Sequence, residues 1–200
     1  PSLETYLYSD EKIKQTTLFC MLRVPHPRTR FYFHLHHQEI LKDFSFPPIG
    51  KRPRASACGR GVFKITRRDE LDEYLSRNPV AYIQEFLPHQ KDLRVVLVNY
   101  RPILAYWREP RTGDFRANLS RGGTIRFEDI PPDGVELACT ATRKCKLDDV
   151  GLDLIQSGGQ WYIIEANMKY GREGLRMKHI DYKAVLREKL LSGELLSSPK

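Results

Sequence analysis

Residues 150–167 read VGLDLIQSGGQWYIIEAN. Two apolar arms flank a Gly-Gly pair, the pattern of antiparallel strands joined by a tight turn. Each arm carries one acid among its apolar residues, Asp153 beside Leu152 and Leu154, and Glu165 beside Ile163 and Ile164. A carboxylate inside such a strand is costly unless it is paired, hydrogen-bonded or bound to a cation. Glu165 and Asn167 are two apart and so share a face. Asp153, Glu165 and Asn167 together supply hard oxygen donors, the set that suits Mg²⁺ with its waters and phosphate oxygens. The competing reading is a solvent-facing strand with ordinary acids. Register separates the two. A plain turn at Gly158-Gly159 pairs Asp153 with Ile164 and turns it away from Glu165, because a one-residue slip exchanges faces. The metal reading therefore expects a loop of three or five residues, or a bulge.

Outward from this hairpin the chain alternates irregularly. DLRVVLVNYRPILAYWRE (92–109) predicts a second hairpin turning at Asn99-Tyr100-Arg101. PPDGVELACTATRKCKL (131–147) predicts a helix after a Pro pair, with Val135, Ala138, Ala141, Thr142 and Cys145 inward. Towards the N-terminus, SDEKIKQTTLFCML (9–22) predicts a helix capped at Ser9 or Asp10 with Ile13, Leu18, Cys20 and Leu22 inward. PHPRTRFYF breaks that helix and opens a strand. A short helix over 37–44, a strand ending near Lys51, and a small-residue loop before a further strand within 55–65 follow. TRRDELDEYLSRN (66–78) predicts a helix opened by a capping box from Thr66 to Asp69, and VAYIQEFL (80–87) an apolar strand. DYKAVLREKLL (181–191) predicts a closing helix before a frayed tail. Antiparallel hairpins with interspersed helices predict an α+β fold in two lobes, 1–86 and 87–200, rather than a doubly wound sheet.

The chain has 200 residues and a net charge of +8. It has no apolar run of about 18 residues to span a membrane and no apolar signal-peptide core, which predicts a cytoplasmic location. Position 1 is Pro, so the chain is expected to begin inside a longer protein. Cys20, Cys58, Cys139 and Cys145 form no C-x-x-C pair and read as free thiols in a reducing compartment. His34 and His36 in HLHH lack a third metal ligand nearby and read as a strand-to-helix junction. Tyr106 and Trp107 read as packing residues. The positive charge suits an anionic partner (nucleotide, RNA or acidic peptide) or a solvated basic surface. No signature of a common RNA- or DNA-binding module accompanies it. Lys51 stands just before RPRASACGRG, where a point charge and loop N–H groups can meet phosphate, although this is no Walker A sequence and a surface turn reads equally well. If that loop is exposed, the Cys58 thiol is expected to react and block the entry of a phosphate-bearing ligand. GDFRANLSRGG (113–123) is too polar for a core and too patterned for a spacer. It sets Arg116, Asn118 and Arg121 on a glycine-bounded loop.

In order and spacing, QEF (84–86), DLR (92–94), GDFRANLSRGG, GLDLI (151–155) and IIEAN (163–167) resemble the ATP-grasp superfamily, in particular the RimK-like carboxylate–amine ligases, over about residues 9–190. The resemblance implies two α+β lobes with antiparallel sheets clasping ATP. Lys12 and Lys51 then match the family's nucleotide lysines. Gln84, Glu85, Phe86 and Leu87 match the hinge that reads adenine and ribose, and Asp92 a further nucleotide-side acid. Arg94 points to the reacting centre, and Arg116, Asn118 and Arg121 serve γ-phosphate and the acidic substrate. Asp153, Glu165 and Asn167 match the metal ligands. ATP and Mg²⁺ are the implied cofactors, with Mn²⁺ as a substitute. The implied reaction forms an acyl phosphate on a small carboxylate or a peptide terminus, then an amide with an amine such as glutamate. Some of these ligases assemble as oligomers. A non-catalytic nucleotide-binding module, associated with RNA or the ribosome, is the alternative on the same scaffold. Three departures stand out. The family's N-terminal domain is absent from this chain. The phosphate loop has only Gly59 and Gly61. NMKYGREG, with Lys169 and Tyr170, replaces the usual N-x-S-P-G stretch.

Overall fold

Two antiparallel sheets organise the chain. The computed structural model describes residues 1–9, 11–53, 61–111 and 122–196. Helices α1 (Leu3–Tyr8) and α2 (Lys12–Met21) come first. Strand β1 (Thr29–Phe33), α3 (Ile40–Asp43), β2 (Ile49–Lys51), β3 (Val62–Lys64), α4 (Arg68–Arg77) and β4 (Val80–Gln84) build the smaller unit, with strand order β1-β4-β2-β3. Strands β5 (Asp92–Val98), β6 (Arg101–Glu109), β7 (Thr124–Arg126), β8 (Asp149–Ser157) and β9 (Gln160–Asn167) build the larger sheet, in the order β7-β6-β5-β8-β9. Helix α5 (Pro132–Cys145) precedes β8, and α6 (Glu173–Met177) and α7 (Tyr182–Leu191) follow β9. The α+β expectation holds.

Alternation divides the larger sheet into two unlike faces. Leu93, Val95 and Leu97 of β5 join Val150, Leu152, Leu154, Trp161, Ile163 and Ala166 in the main core, closed by Ala138, Ala141 and Cys145 of α5. Trp107 stacks on Trp161 in that core, ring centroids 6.0 Å apart. Phe19 and Val24 join the same core, so α2 packs with the larger sheet although it precedes the smaller one. The opposite face carries Asp92, Arg94 and Val96 of β5 and Tyr106 and Arg108 of β6. Tyr170 and Leu175 cover Val96 and Tyr106 there. The smaller unit has its own core of Tyr32, Ile40, Phe44, Ile65, Leu71, Tyr74, Ala81 and Ile83.

Both hairpins of the larger sheet combine a two-residue turn with a bulge. Asn99 and Tyr100 have φ of 52° and 61°, and Gly158 and Gly159 have 58° and 76°, the paired left-handed residues that suit the right-handed twist of strands. The register then slips by one residue between Val96 and Leu97 and between Asp153 and Leu154. Ile164 is the extra residue on β9, and Asp153 lies opposite Glu165. The turn is thus the plain one, and a bulge restores the cross-strand pair.

Several local expectations change. Helix α2 begins at Lys12 with Glu11 at its cap position and no side-chain cap bond. Its buried residues are Lys12, Gln15, Thr16 and Phe19, whereas Cys20 is exposed. The helix faces the polar seam between the sheets, where hydrogen-bond partners replace apolar ones. The Thr66 N–H and hydroxyl both donate to Glu70, not Asp69, because α4 starts one residue later than its sequence signal. The strand predicted over 80–87 stops at Gln84. HLHH forms a 3₁₀ turn (His34–Glu39). Helices α1 and α6 and strand β7 went unread. All three are short, and β7 and α6 sit in polar sequence. Cys20, Cys139 and Cys145 are free thiols, and Cys58 lies outside the described residues.

Tyr170 seats directly on Gly151, where an added Cβ meets the Tyr170 Cβ at 2.6 Å. A Gly151→Ala substitution is expected to cost about 1–3 kcal/mol through overpacking. The check is the urea midpoint at unchanged slope. An unshifted midpoint contradicts this seating of Tyr170.

Candidate active site

The bulges decide which charges meet. On β5, Asp92 lies opposite Arg108 of β6, and Arg94 lies opposite Asp153 of β8. Arg108 donates to both Asp92 oxygens, through Nε at 2.6 Å and Nη2 at 2.9 Å. The same Nη2 stands 2.9 Å from Asp153 Oδ2. Arg94 donates to both Asp153 oxygens, with Nη2 at 2.9 Å from Oδ2. All four residues are buried, none more than 6% exposed. Two acids and two guanidiniums cancel in charge, and bidentate bonds satisfy their hydrogen-bonding capacity, which is the condition for burying ions at tolerable cost. Burial pushes the Asp153 carboxyl up. Arg108 and Arg94 outweigh that and hold it below the usual carboxylate range.

Beside this network β9 presents Glu165 and Asn167. Asn167 Nδ2 stands 3.5 Å from Asp153 Oδ2. Lys12 of α2 reaches across to Glu165 at 2.8 Å. Lys51, at the end of β2, points its Nζ to the Ile164 carbonyl at 3.4 Å, on the bulge itself. Burial brings the Lys51 ammonium down to about 8, against the pull of Glu165 and with the push of Lys12. Two lysines from separate elements thus converge on one edge of the carboxylate group.

The strand-to-strand link between the two units runs through the predicted hinge. Arg28 N–H bonds to the Glu85 carboxylate, and Glu85 N–H bonds back to the Arg28 carbonyl at 2.9 Å. Lys64 Nζ lies 4.0 Å from the Phe86 ring centre, and the Leu87 carbonyl stands 2.7 Å from His89 Nδ1. Glu85, Phe86 and Leu87 are partly exposed, while the Gln84 side chain is buried and turned to His26. His26 Nδ1 stands 2.6 Å from the Ile163 carbonyl of β9. Burial, then the nearby Lys51 charge, brings the His26 ring down to about 4, so it is neutral at pH 7.

The structure therefore brings together Lys12, Lys51, Asp92, Arg94, Asp153, Glu165 and Asn167, and links Gln84 to β9 through His26, while Glu85, Phe86 and Leu87 contact Arg28, Lys64 and His89. Arg116, Asn118 and Arg121 lie outside the described residues. Sequence reasoning missed Arg108 and His26. Arg108 sits opposite Asp92 only because of the bulge in the first hairpin. His26 carried only the P-H-P spacing as a signal. Among the described residues no group of three or more His, Cys, Asp and Glu is placed to hold a metal. The candidate trio counts two carboxylates and an amide oxygen, an all-oxygen donor set suited to a hard divalent cation.

Superposition identifies the architecture. The D-alanine–D-alanine ligase from Bacillus anthracis complexed with ATP matches 98% of this chain and 68% of its own, with a TM-score of 0.72 at 13% identity. That is the ATP-grasp fold. The chain belongs to the RimK-like ATP-grasp domain family, which it matches over residues 9–190. A probable alpha-L-glutamate ligase of Parasynechococcus marenigrum is 29% identical over 84% of the chain and 37% of its own length. The coenzyme gamma-F420-2:alpha-L-glutamate ligase of Methanococcus maripaludis is 28% identical over 90% of the chain and 65% of its own. The chain spans less than two thirds of each of these two relatives.

Two outcomes are expected. Arg108→Met strands two buried carboxylates beside one guanidinium and costs about 3–5 kcal/mol. Arg68→Ala, which breaks an exposed pair with Asp72, leaves stability nearly unchanged. Urea unfolding of both variants checks the contrast. For His26 the folded pKa lies below the unfolded one, so the unfolded chain binds the proton first as pH falls. Stability is lost from pH 6.5 down to about 4, a contribution on the order of 3 kcal/mol at the lower end. A His26→Asn variant flattens that part of the stability–pH curve, and equal slopes with the parent contradict the assignment.

Proposed function

We propose that this chain carries the nucleotide-binding and catalytic part of an ATP-dependent carboxylate–amine ligase. The observation that carries the reading is the cross-strand Asp153–Glu165 pair, set by a bulge, with Asn167 on the same face and Lys12 and Lys51 converging on it. The reaction moves the γ-phosphoryl group of ATP onto a substrate carboxylate. An amine then attacks that acyl phosphate, its nitrogen forming the amide bond as inorganic phosphate leaves. ADP is the other product. No side-chain nucleophile takes part. Catalysis in such a transfer is largely positioning and charge stabilisation.

Each residue then has a task. Lys12 and Lys51 offer cations to the phosphates. Gln84, Glu85, Phe86 and Leu87 form the strip against which adenine and ribose lie, and Asp92 orders the arginines behind it. Arg94, held by Asp153, presents its charge towards the reacting carboxylate. Arg108 locks Asp92 and Asp153 in place. Arg116, Asn118 and Arg121 are assigned to the γ-phosphate and the acidic substrate. Asp153, Glu165 and Asn167 would hold Mg²⁺, for which Mn²⁺ is a workable substitute. The bound cation neutralises phosphate charge. In the described structure each carboxylate already has a cation beside it, Lys12 at Glu165 and two arginines at Asp153.

The names of the relatives, both alpha-L-glutamate ligases, support glutamate as the amine, and the carboxylate assigned in this reading is a small molecule or a peptide or protein terminus. No helix among the described residues is long and apolar enough to cross a membrane. A cytoplasmic enzyme supplied with cellular ATP is the setting that fits this reading.

The test is thermal unfolding with a non-hydrolysable ATP analogue, with and without Mg²⁺. A ligand that binds only the folded state stabilises it by about 2.7 kcal/mol at a hundred times its Kd. The parent is expected to show a Mg²⁺-dependent rise in Tm. Glu165 is partly exposed, so Glu165→Gln should still fold, at a somewhat lower ligand-free Tm because buried Lys12 loses the carboxylate charge, and lose the Mg²⁺-dependent part of the rise. A parent with no rise, or a variant that keeps the whole of it, removes the reading.

A further inference from the structure

We propose that His26 is a positioning residue for the nucleotide site, an imidazole that fixes the bulged segment of β9 and the Gln84 amide at once; the proposal rests on the functional reading above. His26 lies between Pro25 and Pro27, in the connection from α2 to β1. The two prolines restrict the backbone on either side of it. The connection binds the outer edge of β9 by two bonds to one residue. Ile163 N–H donates to the Pro25 carbonyl at 2.9 Å, and His26 Nδ1 stands 2.6 Å from the Ile163 carbonyl. A carbonyl only accepts, so Nδ1 carries the proton.

In the neutral ring Nε2 is therefore an acceptor. Three groups surround it, namely Gln84 Nε2 at 3.1 Å, Thr16 Oγ1 at 3.2 Å and Thr29 Oγ1 at 3.4 Å. The Thr29 hydroxyl donates to the Pro27 carbonyl at 2.8 Å, which leaves its oxygen to accept. Gln84 can donate one hydrogen to His26 and the other to Thr29 Oγ1 at 2.9 Å. The amide orientation is fixed by these partners, nitrogen towards the seam. Thr16 completes the set through its 2.7 Å bond with Tyr82. The network draws one side chain each from α2, the connecting loop and β1, and two from β4.

The placement matters because of what each end touches. Ile163 is followed by Ile164, the bulge residue whose carbonyl meets Lys51, and then by Glu165. Gln84 is the last residue of β4 and the first of the strip Gln84–Leu87. One ring thus sets the phase of the candidate metal strand against the start of the candidate adenine strip. An aliphatic side chain of similar volume fills the space, and Phe19 packs on the ring at 5.4 Å. It removes the His26 bond of the Ile163 carbonyl and that of the Gln84 amide, which keeps Thr29.

The test is calorimetric binding of Mg²⁺ with a non-hydrolysable ATP analogue to the parent and to His26→Leu, His26→Asn and His26→Gln, each well below its own melting temperature. The Asn amide mimics Nδ1 and the Gln amide mimics Nε2, so each variant retains one of the two bonds. Loss of both is expected to weaken nucleotide binding about ten-fold, with Asn and Gln each recovering part of it. Variants with lowered Tm and unchanged nucleotide Kd overturn the proposal and leave His26 a core residue. A parent that fails to bind removes the ligase reading and this proposal with it. A binding parent with unaffected variants removes this proposal alone.

Discussion

Two buried carboxylates and two buried guanidiniums hold the larger sheet to one register. Asp92, Arg94, Arg108 and Asp153 come from three adjacent strands and cancel one another. A one-residue slip of any of these strands would send a charge into the apolar face beside Leu93, Val95 and Leu152. The network is thus a strong argument against every register but one. It also explains why both hairpins carry a bulge after a two-residue turn. Tight turns close the strands, and the bulges then restore the phase that brings opposite charges together.

The rest of the site is built onto this frame from outside. Tyr170 lies over Gly151 and bonds Asp149 at 2.8 Å, and Tyr182 takes the other Asp149 oxygen. The stretch NMKYGREG thereby caps the face that holds Arg94 and Asp153. Helix α2 closes the opposite side with Lys12, and with Gln15, whose amide bonds both the carbonyl and the N–H of Ala166. An amide so placed acts as one more strand residue along the edge of β9. The edge that a neighbouring strand would occupy is filled by side chains of α2 and by the Pro25-His26 connection.

The sequence made the architecture legible where periodicity and chemistry agreed. The β8–β9 hairpin had two acids that needed an explanation, and the demand for a common face led to the bulge. The inward set of α5 followed directly from helical spacing. Legibility failed where the buried partner was polar. Apolar spacing in α2 pointed to Ile13, Leu18, Cys20 and Leu22; Leu18 and Leu22 do pack on the main core, but the helix buries Lys12, Gln15, Thr16 and Phe19, because one side of it covers hydrogen-bonding groups. Arg108 was invisible because its phase depends on a slip at Leu97, and no single residue there announces one. Of the candidate residues, Lys12 came only through order and spacing within a family pattern, whereas Lys51 and the Asp153–Glu165–Asn167 set were read from local chemistry first.

The stacked indoles of Trp107 and Trp161 have an optical consequence. They are the chain's 2 tryptophans, and each N–H is bonded, one to the Asp129 carbonyl and the other to Asp133. Lys91, the last residue before β5, holds its ammonium 3.9 Å from the Trp107 ring centre. All of the tryptophan fluorescence therefore arises from one stacked pair of indoles, with the Lys91 ammonium against one of them. Because that cation ends the link between the two units, the intrinsic emission is a built-in gauge of the link, with no dye attached.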